Sequence, residues 1–159
     1  MARAWVFGLG ALLAAGCAGP GMPIPVQGSV EPLVGHWVGE YRSPDTGRDG
    51  SIMFTLSAGA DTAWGDVVMM PADYDRGPQL TPNTRIDRPG PRVLRVSFVR
   101  CEGNEITGWI DPYPDPDTGE EVRTAFDGII QGNELRGTFT SYLVHSGRRA
   151  AGTWSVRRK

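Results

Sequence analysis

Five carboxylates crowd the stretch DPYPDPDTGEE, at Asp111, Asp115, Asp117, Glu120 and Glu121. Hard oxygen ligands so spaced are the kind that hold Ca2+. A calcium loop of the helix-loop-helix type needs glycine at its sixth position, however, and counting from Asp115 that position is Glu120. The run reads instead as a solvated acidic turn without a metal. The two histidines, His36 and His145, lie in no HExxH pattern and beside no cysteine pair, so neither marks a zinc site. Ser141 and His145 could be drawn into a Ser-His-Asp set, but a Gly-x-Ser-x-Gly elbow is missing. Cys101, in VRCEGNE, has no base beside it to raise its thiolate content. Glycine loops of the kind that cradle phosphates are missing too. With no convergent acid–base or metal set, the chain is not expected to be an enzyme or to carry a cofactor.

The other cysteine, Cys17, stands at the end of an apolar run. Arg3 supplies a short positive start, and Ala4 to Ala15 is almost wholly apolar, which is the anatomy of an export signal. It is too short to span a bilayer, which takes about 20 apolar residues. The sequence LAAGC, Leu13 to Cys17, resembles the lipobox of bacterial lipoproteins, with Ala14 where that pattern prefers Leu, Val or Ile. The resemblance implies cleavage after Gly16 and a diacylglycerol on Cys17, so that the chain meets the membrane through a lipid anchor. Ala18, in place of the aspartate that retains such proteins at the inner membrane, implies the outer membrane if the source has two. An ordinary secretory signal with Cys17 incidental is the alternative.

The expected organisation is a signal peptide over residues 1–16, a lipidated cysteine and tether over 17–34, and one domain over 35–159. Pro20, Pro23, Pro25 and Pro32, with Gly19, Gly21 and Gly28, make the tether an extended segment. The full chain has 16 basic and 18 acidic side chains; loss of Arg3 with the signal leaves 15 against 18, a net charge of −3. Nucleic acid, which selects a basic face, is not an expected partner.

From Gly35 onward the apolar residues alternate with period two and no helical period emerges. Eight strands are predicted: 36–42, 51–56, 63–70, 92–100, 105–110, 121–130, 134–144 and 150–157. Ile52, Phe54 and Leu56 share one face, as do Leu94, Val96 and Phe98, and Leu135, Phe139 and Leu143. Short Gly-Asn turns recur in CEGNE and QGNE, and PDTG occurs twice, at Pro44–Gly47 and Pro116–Gly119. Glycines inside the strands, such as Gly108, Gly128, Gly137 and Gly152, read as the bends that let one sheet curl until its edges meet. The expected fold is therefore all-β: a single antiparallel up-and-down barrel of eight strands. A membrane-spanning barrel alternates in the same way, but several predicted strands fall short of the ~9–11 residues needed to cross.

The tripeptide GHW, Gly35 to Trp37, resembles the Gly-x-Trp of lipocalins and related calycin barrels. The resemblance implies that Trp37 closes one barrel end against an arginine late in the last strand, with Arg157 placed for it and Arg158 as a substitute. It also implies a binding module for a small apolar or amphipathic ligand, with Trp37, Phe54, Phe98, Phe126, Phe139 and Trp154 on the inner face. The rival reading is a solid-core domain that contacts another envelope protein, since aromatics can fill a barrel of this size completely. Its contact surface would be the proline-rich loop Pro71 to Pro91, through Tyr74, Arg76, Arg85, Asp87 and Arg88. Trp109, out of phase with Ile106, Gly108 and Ile110, is expected to point outward.

Overall fold

Period-two burial runs along nearly every strand. In the last strand Ala150, Gly152, Trp154 and Val156 are buried while Ala151, Thr153 and Arg157 are exposed, the signature of a sheet with one dry face. The computed structural model describes residues 23–58, 62–72, 79–81, 84–86 and 90–159, with the backbone alone for 79–81 and 84–86. Its strands are β1 (Ile24–Gly28), β2 (Gly35–Ser43), β3 (Arg48–Ala58), β4 (Thr62–Pro71), β5 (Gln79–Thr81), β6 (Thr84–Ile86), β7 (Arg92–Glu102), β8 (Glu105–Pro114), β9 (Glu121–Gln131), β10 (Glu134–Leu143) and β11 (Arg149–Arg158), with a 3-10 turn at Glu31–Leu33. The Gly-Asn turns join β7 to β8 and β9 to β10, with Gly103 at φ 62° and Gly132 at φ 63°. That is the first central position of a two-residue hairpin, where a type II′ turn takes glycine.

The strands form a closed barrel of nine, not eight. Antiparallel pairing runs from β2 through β3, β4, β7, β8, β9 and β10 to β11, and β11 closes onto β2 with Trp154 opposite Tyr41 and Arg158 opposite Trp37. β4 and β7 pair only from Asp66↔Arg95 to Met69↔Arg92 and then part. β1 fills the gap, antiparallel to the start of β4 at Ile24↔Ala63 and parallel to the end of β7 from Val26↔Val99 to Gly28↔Cys101. The barrel is thus mixed, with one parallel pair. The extra strand comes from the proline-rich segment read above as tether, so the chain enters the barrel at Ile24, ahead of Gly35. Separated strands leave backbone N–H and C=O groups without partners, and a short strand satisfies both edges at once.

Two bulges lie in the β7–β8 hairpin region, between Val96 and Phe98 and between Ile110 and Tyr113. One extra residue reverses the side-chain phase beyond it. Leu94 and Val96 point inward, and after the bulge the inward positions are Val99 and Cys101. Phe98 therefore leaves the predicted inner face and packs outside against Trp109, the rings tilted by 39° with centroids 5.1 Å apart. Trp109 points outward as expected and is 52% exposed.

Eight of the nine barrel strands are 9 to 11 residues long, and β1 has five, so the length of the eight does not separate this barrel from a membrane-spanning one. The core is Trp37, Leu33, Leu135, Val156 and their neighbours, while Arg100, Glu102, Arg123, Thr138 and Arg136 are exposed on the outer face. Val93, Trp109, Ile129 and Tyr142 are the large hydrophobic side chains exposed beside them among the described residues. Among the described residues, no helix is long and apolar enough to cross a membrane.

Candidate functional site

The barrel has a floor, a chamber and a mouth. At the floor, Trp37 is fully buried, and its Nε1 donates to the Leu33 carbonyl at 2.7 Å. This bond holds the 3-10 turn across the barrel end. The Arg158 guanidinium lies 4.7 Å from the Trp37 ring centroid and donates to the Pro32 carbonyl. Arg158, not Arg157, is therefore the closing arginine. Parity decides it: Trp154, Val156 and Arg158 share one phase, while Arg157 points outward near Glu134.

Above the floor lies a wholly apolar chamber of about 110 Å3. Phe54, Phe126, Phe139 and Trp154, four of the aromatics named from the sequence, line it together with aliphatics such as Leu33 and Leu94. Trp37 is beneath it, stacked with Phe54 at 6.0 Å. The strand glycines, read above as bends, also make room for these rings. A Cβ on Gly108 would meet Phe126 at 2.4 Å, one on Gly152 would meet Phe139 at 2.3 Å, and one on Gly137 would meet Trp154 at 2.7 Å. Aromatic and glycine face each other across the ladder, as in Phe139↔Gly152 and Trp154↔Gly137. The rings thus lie against neighbouring strands, and a space remains between them.

The chamber opens into a mouth of about 240 Å3, the two sharing Met69, Leu94, Tyr113 and Phe139. A row of hydroxyls crosses their junction: Tyr113 Oη lies 3.1 Å from Thr124 Oγ1, which lies 2.8 Å from Ser141 Oγ. Tyr41 lines the mouth nearby. Burial pushes its phenol above the usual range; Asp49 adds to the rise, Arg48 opposes it and Tyr113 adds again.

At the rim, the two PDTG turns are tied together. Arg48, directly after the first, bonds Asp115, directly before the second, at 3.0 Å, and also contacts Asp117. Asp115 accepts from the backbone N–H groups of Asp117 and Thr118, each at 3.0 Å, so it also shapes its own turn. Burial alone would raise the Asp115 pKa, but the Arg48 bond and these two N–H groups outweigh it and hold the carboxyl below its ordinary 3.8. A folded-state pKa below the unfolded one means a stabilising contribution that is complete above about 3.8 and fades as pH falls through the lower, folded value. Asp115→Asn should therefore cost about 1–2 kcal/mol at neutral pH and give a flatter loss of stability below about 3.8, both read from urea unfolding midpoints across pH. The acidic stretch thus closes a rim, and among the described residues no three His, Cys, Asp or Glu side chains gather as a metal site would require.

No family model, curated protein or solved structure matches this chain. What can be read of its function rests on the site itself.

Cys17 lies outside the described residues, as do Tyr74, Arg76, Asp87 and Arg88 of the proline-rich loop. Arg85 belongs to β6, which pairs with β5 in a small hairpin, so that loop contains regular structure despite its prolines. Cys101 is buried, and burial pushes its thiol pKa up. It should resist a thiol reagent in the folded protein and react at full stoichiometry only in denaturant, checked by absorbance of the released chromophore. The sequence reading missed Tyr41, Arg48, Tyr113 and Thr124, and weighed Ser141 only for a catalytic set. A signal existed for two of them: Thr124 shares the inner phase with Val122, and Ser141 with Phe139 and Leu143. A polar residue at an inner position marks something the interior uses.

Proposed function

We propose that this protein is a lipid-anchored envelope lipoprotein whose barrel, calycin-like in its Trp37–Arg158 closure, binds a small amphipathic ligand. The apolar part sits in the chamber and the polar end reaches the mouth. The observation that carries the reading is the continuity of an apolar aromatic chamber with a mouth that holds hydroxyls and charges. Apolar cavities of similar size, about 150 Å3, take up benzene or xenon. Chamber and mouth together reach the lower end of the ~300–1,000 Å3 common for ligand pockets, which favours a single ring or a short chain over a long lipid. The fit of polar groups at one end only is what orients an amphiphile.

The test is to isolate the mature protein gently from its native host, without detergent, and compare its native and denatured masses. A stoichiometric small molecule released on denaturation is the expected result. A clean apo mass, unchanged after challenge with short-chain amphiphiles, would overturn the reading and send the search to protein partners. The anchor is tested separately. The N-terminal peptide should carry diacylglycerol on Cys17, and Cys17→Ser should move the protein from the membrane fraction to the soluble one.

A further inference from the structure

The hydroxyl row has more protons than bonds. Tyr113, Thr124 and Ser141 carry three O–H donors and form two hydrogen bonds among themselves. Whichever way the row runs, one O–H is left over, on Tyr113 or Ser141 when the bonds run in one direction and on Thr124 when both ends donate to it; that O–H has no acceptor among the described residues, and both ends of the row line the mouth. Thr124 and Ser141 are 4% and 8% exposed, while Tyr113 is half-buried at the mouth. Tyr41 adds a second donor in the mouth, since its hydroxyl bonds no described residue. The aromatic chamber supplies no other polar atom that could answer these protons.

Charge at the mouth is balanced. Of the described residues lining it, Arg48 and Arg92 are positive and Asp49 and Asp115 negative. Arg48 is taken up by Asp115 and Asp117, and Arg92 donates to the Pro114 carbonyl at 2.7 Å. Arg92 keeps its charge beside a neutral carbonyl, but Asp49 offsets it, so an anion entering the barrel would lose its hydration among side chains whose charges sum to zero, whereas a neutral acceptor loses far less on leaving water. We infer that the site selects an uncharged amphiphile whose carbonyl, ester or hydroxyl oxygen accepts hydrogen bonds from the Tyr113–Thr124–Ser141 row and from Tyr41, in preference to a carboxylate of the same chain length.

The inference rests on the binding reading above, and three probes keep the two apart. Benzene tests the chamber alone, methyl hexanoate adds a neutral acceptor, and hexanoate at pH 7 replaces it with a charge. Binding to the full chain is followed by nuclear magnetic resonance titration. Methyl hexanoate should bind at least about 10-fold more tightly than hexanoate. Tyr41→Phe and Thr124→Val should each weaken the ester by about 5-fold, and Tyr41→Phe, outside the chamber lining, should leave benzene unchanged. Tyr41→Phe removes only a hydroxyl at the mouth, which provides a folded variant should Thr124→Val be unstable. Equal or tighter binding of hexanoate would overturn the preference for an uncharged ligand while leaving a ligand-binding barrel. Ester affinity untouched by both variants would overturn the role of these hydroxyls. Failure of all three probes, benzene included, would overturn the binding reading itself.

Discussion

Trp37→Ala should unfold the floor of the barrel and cost about 3–5 kcal/mol of stability. Three losses add up at one position. The ring is fully buried and stacked with Phe54, so its removal leaves a cavity where Ala cannot replace the lost contacts. The Leu33 carbonyl, which accepts from Trp37 Nε1 at 2.7 Å, would lose its donor inside the protein. Arg158 would lose the ring on which its guanidinium lies. Trp37→Phe keeps an aromatic body but not the N–H, so it should cost less than half as much. Urea unfolding followed by near-ultraviolet circular dichroism checks both values. If Trp37→Ala shifts the midpoint no more than a surface substitution does, the floor is not built as described.

Gly137→Ala should be as damaging as Trp37→Ala, at roughly 3 kcal/mol or more, although it adds only one methyl group. A Cβ at that position would stand 1.8 Å from the Asp127 carbonyl oxygen and 2.7 Å from the Trp154 indole. The ring could move only by giving up its Nε1 bond to the Thr138 carbonyl at 3.1 Å, and the carbonyl belongs to the neighbouring strand. Either β9 separates from β10 or the chamber wall shifts. Gly90→Ala is the control: among the described residues nothing lies within 4 Å of its Cβ position, and its effect should stay within about 0.5 kcal/mol. The two variants, made side by side and compared by thermal melting, separate steric exclusion from any general cost of replacing glycine. Equal melting temperatures would refute the packing role assigned to Gly137.

These two positions show how unevenly the fold was legible. The GHW tripeptide drew attention to Trp37, which is the buried ring under Arg158, and the parity rule that selects Arg158 over Arg157 was already present in the spacing of Trp154, Val156 and Arg158. The glycines were visible too, but their partners were not. Which ring crosses Gly137 depends on the register between β10 and β11, and register is a property of two strands. For the same reason Phe98 could not be assigned by alternation alone, because a single extra residue near Ser97 reverses every side chain after it.

By itself the sequence determined an all-β domain, its eight long strands and their turns, the outward Trp109, and most of the rings that surround the chamber. All of these depend on contacts that are local or on the two-residue period of an extended chain. Tertiary structure alone decided the rest. A proline-bearing segment became the ninth strand because β4 and β7 diverge and leave backbone groups to satisfy. Arg48 met Asp115 because closing the barrel brought two distant turns to one rim. Tyr113, Thr124 and Ser141 became a row because a bulge in β8 turned Tyr113 inward beside β9 and β10. Each of these features joins residues far apart in the chain, and their spacing in sequence contains no trace of the distance between them in the fold.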